Sequence, residues 1–388
     1  MPHHWFAAKV WRYRVAGLMA ILAVTSLLIL VGTHLLQRSR KKTPTPPVVF
    51  LKTHKTGSST VQNLLFRLGE KEGATFAFPS YSYQFSYPDK FKAEFVDELP
   101  KHSSHFDILC SHMRLDVEEL KQLMPSNTIY ITILRDPVQT FESVFSYYTV
   151  SVPAFLSAKK VAVTTEYRSA LSVFLESPES FWDPEDPENG LGKNPMSFDL
   201  GLDSQHWNTS WSVLQETFHL VMITEHFDES LVLLGAMLKL ELEDLAYVRL
   251  NTRSSNNVSP LDETTKARIR AWNSLDVLLY DFFLQVFREK SEQYGLERLR
   301  RDVAQLRAST DRIRWKCVAR KEVPPGELED LIRPWQSYSV TILGYHVKTN
   351  LTKQEQGFCM RLILPELQYH AHLYFQQYGR VMRPVPTE

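Results

Sequence analysis

Between Lys52 and Thr60 the chain sets a histidine, His54, between two lysines, Lys52 and Lys55, and follows them with Thr56, Gly57, Ser58, Ser59 and Thr60. These residue types can hold a doubly charged oxyanion. Backbone N–H groups at a helix start carry partial positive charge, and a lysine adds a full one. Gly57 allows a positive φ or a close backbone approach that a Cβ would block. A histidine here can act as a general base, because its ordinary pKa of about 6.5 lies near neutrality. The loop is not a Walker A motif, since Lys55 precedes the only glycine.

A strand and a helix must position this loop. Val48–Leu51 reads as a buried strand, and the spacing of Val61, Leu64, Leu65 and Leu68 predicts a helix over 60–68. Ser59 with Gln62 forms a capping box there, and Gly69 suits the helix end. A second junction has the same form. The apolar run Ile129–Leu134 ends in Arg135-Asp136-Pro137, where Asp136 is an N-cap, Pro137 suits the first helical position and Gln139 completes a capping box. Arg135 at that strand end can fork onto a phosphate, and Ser143 follows on the helix. The alternation of strands 48–51, 106–110 and 128–134 with helices 60–68, 117–123 and 137–148 predicts parallel βαβ units, with ligands at the strands' carboxyl ends. A further strand, 220–223, leads into a helix capped by Asp228. Residues 177–194 read as a loop. Residues 263–310 read as mostly helical, with Trp272, Leu275, Leu279 and Phe283 on one core-facing stripe.

Phe50-Leu51-Lys52-Thr53-His54-Lys55-Thr56-Gly57-Ser58-Ser59-Thr60 resembles the 5′-phosphosulfate loop of Golgi carbohydrate sulfotransferases, in the form found in the galactose-3-O-sulfotransferase family. Arg135 and Ser143 resemble the 3′-phosphate motif of those enzymes. Cys110–Arg114, Phe227–Leu234, Ala271–Asn273, Ile342–Tyr345 and Pro365–Tyr369 extend the resemblance from about Val48 nearly to the C-terminus. It implies a P-loop-like sulfotransferase fold: α/β, with a central parallel sheet flanked by helices. The implied donor is 3′-phosphoadenosine 5′-phosphosulfate (PAPS), with no metal required. His54 and Lys55 are the expected catalytic residues. Lys52, Lys55, Thr56, Gly57, Ser58, Ser59, Thr60, Arg135 and Ser143 are expected to bind the donor. His112 is the second candidate base or an acceptor ligand, and Arg114 belongs to the acceptor side. The implied acceptor is the 3-hydroxyl of a terminal β-galactose on a galactosylceramide-type glycolipid or a glycoprotein glycan.

Two other functions share some of these features. A Golgi glycosyltransferase would commonly carry an Asp-x-Asp triplet, which this sequence lacks. An inactive glycan-binding homologue would not need His54, Lys55, Ser59 and Arg135 together.

The chain has 388 residues and a formal net charge of zero, which argues against a general nucleic-acid binder. Residues 15–36 form one apolar run long enough to span a bilayer, and Arg38, Arg40, Lys41 and Lys42 follow in place of a cleavage site. The expected organisation is a cytoplasmic tail (1–14), a transmembrane signal-anchor (15–36), a Pro-rich stem (37–47) and a lumenal sulfotransferase domain (48–388). Basic residues flank both ends of the run, so orientation rests on the short tail, the downstream sequons and the resemblance, which implies type II Golgi topology. It leaves room for a homodimer. Asn208 and Asn350 are the better glycosylation acceptors, because Pro260 weakens the sequon at Asn257. Cys110 sits in an apolar run as a buried thiol, so by elimination Cys317 pairs with Cys359.

Overall fold

The computed structural model describes residues 45–164, 169–202, 207–255 and 260–383, with the side chains of 207–210 excepted. The chain divides into two units, 1–44 and 45–388. The expected tail, signal-anchor and most of the stem lie outside the described residues. Among those described, no helix is long and apolar enough to cross a membrane.

Four short apolar strands make the central sheet: β1 (Val48–Leu51), β2 (Ile108–Leu109), β3 (Ile129–Leu134) and β4 (Leu220–Ile223). All pair in parallel, in the order β2-β1-β3-β4, with Val49 opposite Tyr130 and Thr132 opposite Val221. Nearly every strand residue is buried, as expected of a parallel sheet covered by helices. The chain passes from β1 to β2 on one side and then to β3 on the other. The point between β1 and β3 is therefore the switch point, where such sheets leave a crevice.

The covering helices are α1 (Ser58–Glu72), α2 (Val117–Leu123), α3 (Pro137–Tyr148), α4 (Pro153–Thr164), α5 (Ala170–Glu176), α6 (Pro195–Asp199), α7 (Trp207–Thr217), α8 (Phe227–Leu238), α9 (Glu263–Trp272), α10 (Ser274–Tyr294), α11 (Leu296–Cys317), α12 (Lys353–Ile363) and α13 (Glu366–Tyr378). A second sheet, β5-β7-β6, is antiparallel and consists of Thr252–Arg253, Ile342–Val347 and Val318–Val323. The sequence reading did not anticipate it, because these strands are only partly buried and lack a clean apolar alternation.

Several local expectations change. Helix α1 is longer than 60–68: it starts at Ser58 after Gly57 and ends at Gly73, both left-handed. There is no capping box, because Ser59 donates its hydroxyl to Glu366. Gly69 lies inside the helix under the Phe76 ring, not at its end. Asp136 does cap α3, accepting from the Gln139 N–H at 3.0 Å, but the Gln139 side chain turns to Arg135. Asp228 does not cap α8. It lies in the first turn, where it accepts from Tyr247 and Arg307. The stripe 272–283 breaks at Asn273. Trp272 packs with Phe174 and Trp182, whereas Leu279 and Phe283 join the main core.

The last residues of the expected stem already belong to the folded unit. Thr45 donates to Glu72, and Ile129 N–H donates to Pro47. Cys317 and Cys359 form a disulfide joining the end of α11 to α12, and Cys110 is a buried free thiol. Asn350 is exposed in the turn before α12. Asn208 lies in the first turn of α7, but its side chain, like all of Asn257, is outside the described residues.

Candidate active site

The loop after β1 turns back through two left-handed residues, Lys55 (φ 59°) and Gly57 (φ 83°). A Cβ on Gly57 would meet nothing closer than 3.9 Å, so the positive φ, not crowding, calls for glycine. Hydroxyl groups pin the loop to its neighbours. Thr53 donates to the Ile133 carbonyl of β3, Ser58 donates to the Thr53 carbonyl at 2.7 Å, and Thr224 donates to the Thr56 carbonyl at 2.6 Å. Thr60 accepts from the Leu250 N–H. Of the hydroxyls expected to face a donor, Thr56 instead lies buried against Thr53. Ser58, Ser59 and Thr60 reach the cavity wall.

That cavity, about 520 Å³, opens at the carboxyl ends of β1 and β3. It brings together Lys52, His54, Lys55, Gly57, Arg135, Ser143 and His112. Because β1 and β3 are paired central strands, the two basic junctions share one site. Arg135 donates to the Lys55 carbonyl at 3.0 Å and to Gln139 at 3.0 Å. Three cations not anticipated from the sequence complete the wall: Arg249, Arg253 and Lys266. Arg253, on β5, is held in a fork by Glu142 of α3, at 2.9 and 2.6 Å. No local spacing links residue 253 to Ser143; the pairing of β5 with β7 and the Glu142 fork set it there. The Lys55 ammonium sits 3.7 Å from the centroid of the Tyr147 ring. Burial, and then the charges of Arg253, Lys52 and Arg135, push its pKa down to about 7, against an opposing pull from Glu366.

His54 is buried, and Asp199 at the end of α6 grips it twice. The carboxylate accepts the His54 N–H at 2.7 Å and meets Nδ1 at 3.0 Å. A carboxylate partner places the ring proton on Nδ1 and leaves Nε2 as the basic nitrogen. Tyr87 also donates to Asp199, at 2.8 Å.

His112 stacks on His54 with ring centroids 4.0 Å apart. Its Nδ1 lies 2.9 Å from the Lys52 carbonyl, which can only accept, so the proton is on Nδ1. Its Nε2 then accepts from the Lys52 ammonium at 2.7 Å. Burial, with His54 and Lys52, holds His112 well below the ordinary histidine range.

Lys52 is itself 2% exposed and donates to both Glu366 oxygens, at 2.9 and 2.8 Å. Although burial pushes Glu366 up, Lys52 and Ser59 keep its pKa below the ordinary value. The expected donor-binding Lys52 is thus committed to an internal ion pair. Arg114 is not on the cavity wall; its guanidinium lies 4.4 Å over the Phe198 ring. Asp199, Tyr87 and Glu366 escaped the sequence reading because each is far along the chain from the loop it holds.

A family model described as Galactose-3-O-sulfotransferase matches residues 5–377. Human galactosylceramide sulfotransferase is 39% identical over 335 residues, spanning 84% of this chain and 77% of that protein. Human galactose-3-O-sulfotransferase 2 is 36% identical, spanning 95% of this chain and 94% of its own length. Bovine galactose-3-O-sulfotransferase 3 is 35% identical, spanning 98% and 94%.

Proposed function

The chain belongs to the galactose-3-O-sulfotransferase family and is a sulfotransferase, and we propose that it moves a sulfuryl group from PAPS to the 3-hydroxyl of a terminal β-galactose. The acceptor carries that galactose on a galactosylceramide-type glycolipid or a glycoprotein glycan. One observation carries this reading: an Asp199-held His54 shares a cavity with Lys55 and Arg135.

The walls suit the donor. Lys55, with the N–H groups at the start of α1, faces the 5′-phosphosulfate and neutralises the leaving phosphate. Arg135 and Ser143, joined by Arg253, Arg249 and Lys266, receive the 3′-phosphate. PAPS supplies an activated sulfuryl group, and transfer of this kind is governed by positioning and electrostatics. His54 Nε2 takes the proton from the attacking sugar hydroxyl as the new O–S bond forms and the bond from sulfur to the phosphate oxygen breaks. Asp199 stabilises the resulting imidazolium. His112 is not the base in this scheme, because its Nε2 lone pair accepts from Lys52. Lys52 acts through Glu366 and His112 to fix the loop. Residues 15–36 anchor the domain in the Golgi membrane with the sulfotransferase unit lumenal.

The test is a radiolabelled PAPS assay on galactosylceramide, lactosylceramide and N-acetyllactosamine side by side, with retention on immobilised adenosine 3′,5′-bisphosphate. Label should appear in at least one acceptor and resist removal as a 3-O-sulfate. Failure of both transfer and retention counts against the donor reading.

A further inference from the structure

Three rings surround His54: His112 stacked at 4.0 Å, Tyr87 tilted at 4.8 Å and Tyr148 edge-on at 5.6 Å. The polar groups of the first two are occupied. His112 uses both nitrogens on Lys52, and the Tyr87 hydroxyl is given to Asp199. Tyr148 differs. It lines the cavity with His54, Lys55 and His112, yet its hydroxyl makes no hydrogen bond among the described residues. Its position is firm, because it closes α3 and packs in a small cluster with Tyr147, Val340 and Ile342. The ring of its neighbour Tyr147 carries the Lys55 ammonium. One end of α3 therefore supports the donor-side lysine and also sets a phenol beside the base.

We propose that Tyr148 is an acceptor-binding residue whose hydroxyl hydrogen-bonds a ring hydroxyl adjacent to the attacked 3-hydroxyl of galactose, turning the sugar toward His54 Nε2. The proposal rests on the function inferred above. An acceptor must approach Nε2, because Nδ1 is held by Asp199. Beside the His54 ring, on the same cavity wall, Tyr148 has the polar capacity left to meet a sugar. Burial keeps its phenol protonated, so it can donate as well as accept. A site that hydrogen-bonds a substrate hydroxyl discriminates strongly against analogues lacking it.

The experiment compares the full-length enzyme with Tyr148→Phe on octyl β-galactoside and on its 2-deoxy and 4-deoxy analogues, with PAPS as donor. Expected is a loss of about tenfold in kcat/KM for Tyr148→Phe on the parent sugar, the scale of one hydrogen bond to a substrate. Affinity for adenosine 3′,5′-bisphosphate should stay within about twofold of wild type. On one of the two deoxy analogues, the one lacking the partner hydroxyl, the loss should shrink to about twofold or less. An equal loss on all three acceptors would assign Tyr148 a packing role and overturn the proposal, as would no loss on the parent sugar or weakened donor binding. A wild-type enzyme with no transfer to any galactoside would overturn the function reading itself, and this inference with it.

Discussion

Asp199 holds the Nδ1 side of His54, so the base in the proposed mechanism is Nε2 of that ring. His54→Ala should reduce turnover by about 10²- to 10⁴-fold, the range of a lost general base, while binding of adenosine 3′,5′-bisphosphate stays near wild type. Surviving turnover would move the base elsewhere. Asp199→Asn preserves shape but removes the charge that favours the imidazolium. A fall in kcat of about 10²-fold or more at unchanged KM is expected, and steady-state kinetics would show it.

Lys55 carries a pH prediction. Its pKa is about 7 here, against 10.5 for a free lysine. A bound phosphate favours the charged form, so donor binding raises that pKa and takes up a proton at pH values above about 7. Donor affinity therefore falls as pH rises above about 7. Calorimetry at pH 8 in buffers of different ionisation enthalpy should detect the uptake, and Lys55→Met should remove it. A wild-type signal independent of buffer would contradict the assignment.

Helices α1 and α13 meet through charges as well as apolar surface. Lys52, just past β1, is paired with Glu366, the first residue of α13, which also accepts from Ser59. Breaking a buried pair from one side leaves the other charge uncompensated. Lys52 is buried but Glu366 is 21% exposed, so Glu366→Gln should cost about 1.5–3 kcal/mol in denaturant unfolding; an unchanged midpoint would mean the pair contributes nothing net. Gly69 sets two effects against each other inside α1. Helix propensity alone favours alanine there by about 1 kcal/mol. The added Cβ would, however, fall 2.3 Å from the Phe76 ring and 2.8 Å from Ile108. Overpacking of this kind costs about 1–3 kcal/mol, so Gly69→Ala should destabilise. A raised melting temperature would show that Phe76 can move aside.

Across the whole molecule, the second sheet delivers Arg253 to the cavity, and the Cys317–Cys359 bridge ties the adjoining α11 and α12 together over a separation of 42 residues. A loop of that length implies about 4 kcal/mol of stabilisation by restricting the unfolded chain. Replacing both cysteines by serine should lower the unfolding free energy by a similar amount. The parallel sheet, both strand–turn–helix junctions and the span of α3 were legible in the sequence. Each is written in neighbouring residues: an apolar run, a cap, a proline at the first helical position, and a glycine where φ is positive. The grouping of Lys55 with Arg135 was legible too, since parallel βαβ order brings strand ends to one edge of the sheet. The partners that give those residues their chemical states were not. His54 is oriented by a carboxylate 145 residues away, and Lys52 is neutralised by one 314 residues away. Local pattern therefore determined the two junctions that bring His54, Lys55 and Arg135 to the site, but not Arg249, Arg253 and Lys266, which complete its wall. Long-range packing alone decided which nitrogen is basic, which lysine is committed to an internal pair and which tyrosine has a hydroxyl to offer, because burial and charge depend on what folds against a residue and not on what flanks it.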